Sequence, residues 1–132
     1  MWVAALWWGS LTVIGFLVVP LLFRHLPTPA LAGGMAAKLF AAQTWVSCVC
    51  ALLLLLGARP DTALARVSTV QAAMIFIVAG MLLALLAEFA VAPRILAREN
   101  LRLWHSVGSV MYVLQWVCAA TTLGKLMPPR QT

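Results

Sequence analysis

Glu88, Arg94 and His105 are the residues of this chain best placed to do chemistry. Glu88 lies inside a long apolar run, five residues before Pro93. An ionisable side chain in such a run is costly and marks a candidate site by default. Arg94 follows that proline and His105 opens the next apolar run, so both can reach the same end of the molecule. The grouping reads in two ways: a proton-coupled or cation-binding site, or a structural ion pair tying two helices together. Ser109 follows His105 at helical spacing. Lys38 and Gln43 stand near the start of an earlier run. Lys38 can snorkel to a membrane interface, and Gln43, like Gln71 and Gln115, can hydrogen-bond across helices.

Other chemistries are less well supported. Six Met, three Cys and two His invite a soft-metal site. Cys48 and Cys50 are two residues apart, about 200° around a helix, and cannot both face one ion. The identity of any metal stays open. His25 falls in a loop, so His105 has no evident haem partner. No cofactor is expected. There is no phosphate loop, no Gly-x-Ser-x-Gly and no His-Glu-x-x-His, so nothing argues for an enzyme.

The elements that carry these residues follow from composition. Of 132 residues, 64% are apolar and 9% charged, with a net charge of +6. A soluble domain of this size cannot hide that much apolar surface. The basic residues are scattered singly, which suits contact with anionic lipid rather than nucleic acid. The three cysteines lie in apolar runs and do not form a disulfide framework.

Four apolar stretches, about 2–23, 35–57, 67–92 and 103–123, each reach the roughly 20 residues needed to cross a bilayer. The reading is all-α: a single integral membrane domain over 1–132, folded as a four-helix transmembrane bundle of antiparallel hairpins. The first stretch lacks a basic leader and a cleavage signature, so it reads as a retained helix. Pro27, Pro29, Pro60 and Pro128 read as helix stops. Arg24, Lys38, Arg94, Arg98 and Arg102 fall on one face, and Arg59, Arg66, Lys125 and Arg130 on the other. The first face is expected to be cytoplasmic. Trp2, Trp7, Trp8 and Trp104 are expected in the interfacial belt, with Trp45 and Trp116 packed inside. Gly33, Ala37, Ala41, Gly80, Ala84 and Gly108 are expected at helix contacts. Met74, Met81 and Glu88 form one stripe; His105, Ser109, Tyr112 and Trp116 form another, expected to face it across the axis.

The chain also appears twice over. Phe16, Val18 and Pro20 match Phe89, Val91 and Pro93 at a shift of 73. Phe40 and Tyr112 fall at a shift of 72, and Gln43-Thr44-Trp45-Val46 resembles Gln115-Trp116-Val117, with Trp and Val at a shift of 71. Two duplicated hairpins would share orientation about an axis along the membrane normal, with Pro20 and Pro93 kinking or ending equivalent helices.

The pattern Trp8-Gly9-Ser10, Gly15-Phe16, Pro20-Leu21-Leu22-Phe23, Ala32-Gly33, Leu39-Phe40, Trp45, Glu88, Pro93-Arg94 and His105-Ser106-x-x-Ser109 resembles a family of small bacterial four-helix membrane proteins. These are uncharacterised proteins similar to eukaryotic transmembrane protein 205, grouped as domain of unknown function 4149. The resemblance implies a bacterial inner-membrane bundle. It implies Pro20, Phe40, Glu88, Pro93, Arg94, His105 and Ser109 as its characteristic positions, with Pro20, Pro93 and Phe40 structural. A link of the eukaryotic relative to platinum-drug resistance hints at metals or organic cations. Three function classes stand: a polar intramembrane site that binds or passes a cation, proton or small solute; an accessory subunit of a larger membrane complex, or a homodimer; and a redox or metal-binding membrane protein.

Overall fold

The computed structural model describes residues 1–58 and 64–127, and the side chains of 1–58 and 70–127. The described chain is all helix. Helix α1 runs over Trp2–His25, α2 over Pro29–Gly57, α3 over 64–96 and α4 over Leu101–Leu126. All four are long and apolar enough to cross a membrane. The chain is a small multi-pass membrane protein. The stops read at Pro60 and Pro128, with Arg59, Asp61, Arg130 and the Arg66 side chain, lie outside the described residues.

The helices outrun the apolar stretches because the residues flanking them still complete backbone helical bonds. Helix α2 begins at Pro29 rather than Met35. Thr28 caps it, its Oγ1 accepting from the Leu31 N–H at 3.3 Å. Pro29 is therefore not a stop. It occupies the first helical turn, where a missing N–H costs nothing. The α3–α4 connection is equally short. Arg98 and Asn100 take positive φ of 57° and 36° to turn the chain, and Asn tolerates this better than most residues.

Helix α1 packs on α2 and α4, and α3 packs on the same two, so chain neighbours are spatial neighbours around the bundle. The core is built from all four: Trp7 and Leu11 of α1, Cys50 and Ala51 of α2, Ile77 of α3, and Ala119 of α4. Trp7 was expected in the interfacial belt and is instead completely buried. Trp45, expected to pack inside, is 60% exposed. The small-residue contact also moves. On α2 the buried positions are Ala32 and Ala36, and Gly33 has open space beside it. Gly80 and Gly108 are contacts: a Cβ on Gly80 would stand 2.7 Å from the Trp7 ring, and one on Gly108 would stand 3.4 Å from Val91.

Neither Pro20 nor Pro93 ends its helix. Each sits just after one π-helical turn, Ile14–Val18 in α1 and Ala87–Val91 in α3. There the Val19 N–H reaches back to the Ile14 carbonyl, and Ala92 to Ala87. Proline lacks an N–H, and its ring collides with the carbonyl one turn earlier. Widening that turn by a residue removes the collision and lets the helix continue.

Several pairs 72 or 73 positions apart touch each other. Trp7 lies on Gly80, and the Phe40 and Tyr112 rings meet edge-on at 5.2 Å. Gln43 and Gln115 both hydrogen-bond Ser47. The two π turns are separated by the same shift.

Candidate functional site

The two ends of the bundle differ. Trp7, Leu11 and their neighbours close one half. In the other half, no residue of 14–31 or 92–114 is buried. Glu88 lies at that looser end, half-buried in the π turn of α3, which packs on α2 and α4. It continues the inward stripe Ala73, Ile77, Gly80 and Ala84 by one more turn. Eight residues separate it from the end of α3 at Leu96, about 12 Å along the axis.

The remaining candidates spread around this end. Lys38, His105 and Ser109 are exposed. Arg94 is exposed and its guanidinium stacks over the Trp104 ring at 4.4 Å, a cation–π contact between the end of α3 and the start of α4. Among the described residues, no basic group lies within 4 Å of the Glu88 carboxylate, so it forms no ion pair with Arg94 or His105. The α4 stripe also divides. Tyr112 and Trp116 turn toward α1, where Tyr112 Oη donates to the Leu11 carbonyl at 2.8 Å and Trp116 Nε1 donates to Thr12 Oγ1 at 2.8 Å. Trp116 also packs on Trp8 and Phe16. His105 and Ser109, on the outward side of the same stripe, do not share that contact. Ser109 lies on the outer face of α4 with Val110, Val113 and Leu114.

Gln43 belongs to a different centre. It is the middle residue of α2 and only 2% exposed. Its Nε2 donates to Ser10 Oγ on α1 at 2.9 Å and to Ser47 Oγ at 3.4 Å. Gln115 of α4, 4% exposed, donates to the same Ser47 oxygen at 2.8 Å. Ser47 thus joins diagonal helices through the bundle axis. Ser47 was not singled out from sequence, and Ser10 only as part of the Trp8-Gly9-Ser10 pattern. The signal was present as a stripe of small and polar residues on α2, Ala32, Ala36, Gln43, Ser47 and Ala51, at helical spacing and all buried.

Among the described residues, no group of three His, Cys, Asp or Glu is placed to hold a metal ion. The three cysteines are buried and unbonded to each other. A half-buried carboxylate therefore stands at one end of the bundle, and a hydrogen-bonded set of neutral amides and hydroxyls at its centre.

No curated protein and no solved structure matches the chain. One family model, described as Domain of unknown function (DUF4149), matches residues 2–103, which include α1, α2, α3 and the Glu88 and Arg94 positions. With more than three-quarters of its length matched, the chain belongs to the DUF4149 family of domains of unknown function.

Proposed function

We propose that this membrane protein binds a cation, or takes up a proton, at Glu88. The observation that carries the reading is a half-buried carboxylate in a π turn within a membrane span, with no basic partner within 4 Å among the described residues. A carboxylate in such surroundings gains from a counter-ion. Arg94, His105, Ser109 and Lys38 lie at the same end of the bundle, exposed. Binding fits better than conduction. Trp7 and Leu11 are fully buried in a core shared by all four helices, and the Phe40 and Tyr112 rings meet edge-on, a closed packing that suits binding more than a continuous path. The resemblance to bacterial proteins similar to transmembrane protein 205 supports a bacterial inner membrane, with the Arg94, Arg98 and Arg102 end on the cytoplasmic side and in contact with anionic lipid.

The experiment compares wild type with Glu88→Gln in lipid nanodiscs. Thermal unfolding is followed as sodium, potassium, magnesium and calcium are added singly, and across pH. Wild type is expected to gain stability from at least one cation or from protonation, and Glu88→Gln to lose that response while still folding. Equal responses from the two proteins would defeat the proposal.

A second reading is an accessory subunit or a homodimer. It rests on the exposed Trp45, a surface that a partner helix would cover. The bundle is also inferred to be two duplicated hairpins. The support is that equivalent residues touch at the axis, Trp7 with Gly80 and Phe40 with Tyr112, as residues beside a twofold axis do.

A further inference from the structure

We propose that a single water molecule is bound inside the bundle, bridging Gln43 and Ser47. The argument is a count of donors and acceptors. Both Nε2 protons of Gln43 are used, on Ser10 and Ser47. Its Oε1 is buried and accepts no hydrogen bond. Ser47 Oγ accepts from two amides, Gln43 and Gln115. Its own proton has no acceptor among the described residues. Other buried hydroxyls return theirs to the carbonyl one turn back, Thr44 to Phe40 and Thr122 to Cys118, and Ser47 forms no such bond. One acceptor and one donor are therefore left over, on residues a single helical turn apart.

Turning the Gln43 carboxamide over does not settle the count. Its oxygen would then accept the Ser47 proton and face the Ser10 hydroxyl, whose own proton goes to the Trp7 carbonyl at 2.9 Å, but its amino group would be left buried without an acceptor. A buried polar group without a partner is rare, and an internal water is the usual remedy. The occupant must donate to Gln43 and accept from Ser47. Water does both. A metal ion or ammonium has no lone pair to offer the Ser47 proton. The centre is also neutral: Ser10, Gln43, Ser47 and Gln115 carry no charge, so it differs in kind from the Glu88 end. Helix α2 supplies both anchors near the middle of the membrane, where no bulk water competes for them.

The test is a water-selective rotating-frame Overhauser spectrum of the full chain in detergent, with glutamine side chains labelled with nitrogen-15. A cross-peak from the water frequency to the Gln43 Nε2 protons, of the sign of dipolar contact rather than exchange, is expected in wild type. It should vanish in Ser47→Ala while the Gln115 amide remains folded-like. Should Ser47→Ala fail to fold, Ser47→Cys, a weaker donor of similar size, should reduce the cross-peak several-fold. No cross-peak in folded wild type, or one that persists undiminished in either variant, overturns the proposal.

Discussion

The Trp7 indole lies flat enough against Gly80 that a single methyl group there would come within 2.7 Å of Cη2 and 2.8 Å of Cζ2 of the ring. The contact joins α1 to α3 across the diagonal of the bundle, and Cys118 of α4 closes the same space, 3.3 Å from where that methyl group would stand. Because Trp7 is fully buried, the ring has nowhere to retreat.

Gly80→Ala is therefore expected to destabilise the bundle by about 1–3 kcal/mol through overpacking. Thermal unfolding in detergent reads this directly. The reciprocal exchange, Trp7→Gly with Gly80→Trp, tests the duplication. If the two positions are equivalent about an axis, the double variant should recover most of the stability that either single change loses. A double variant no better than the worse single one would argue against equivalence.

Ser47→Ala should weaken the centre by about 1 kcal/mol, since it removes the common acceptor of two amides. Gln43→Leu and Gln115→Leu should not be additive, because both act through that hydroxyl. A double-mutant cycle from unfolding measurements in one detergent gives the coupling, and a value indistinguishable from zero would contradict the shared bond.

Tyr112→Phe removes the bond from Oη to the Leu11 carbonyl and keeps the ring against Gly15 and Phe40. The expected loss is about 1 kcal/mol. Gly15→Ala should cost more, because the new methyl group meets the ring itself, 3.0 Å from Cζ and 3.1 Å from Oη. The order of melting temperatures, wild type above Tyr112→Phe above Gly15→Ala, is the check.

Pro93→Ala restores an N–H and removes the reason for the π turn. The upstream part of α3 is held by its packed stripe, so the segment beyond the turn should rewind by one residue, about 100°. Arg94 would then leave Trp104. A fluorine label on Trp104 should change its chemical shift in Pro93→Ala and in Arg94→Ala alike. An unchanged signal in Pro93→Ala would show that the turn does not depend on the proline.

The helices were legible in the sequence, and their inner faces were not. Around 20 apolar residues in a row announce a span whatever surrounds it. In lipid, however, the outside of a bundle is as apolar as the inside, so hydrophobicity no longer tells Trp7 from Trp45. Size and polarity carry that information instead. The buried residues of α2 are Ala, Gln, Thr, Ser and Cys, and the exposed ones include Trp45, Val46, Leu52 and Leu56. Glu88 could be found because a lone carboxylate stands out in an apolar run. The Ser10–Gln43–Ser47–Gln115 centre was only half visible, since serines in such runs often bond their own backbone. The expected closeness of Glu88 to Arg94 rested on sequence separation alone. The π turn and the cation–π contact with Trp104 redirect the guanidinium.

Helix α2 has 29 residues, which makes it about 43 Å long. The hydrocarbon layer is only about 30 Å thick. The excess must lean over or stand proud of the lipid tails, and Thr28 and Lys38 mark the end with room for it, where the helix begins in small residues. Bilayer thickness thereby becomes a control on the tilt of α2.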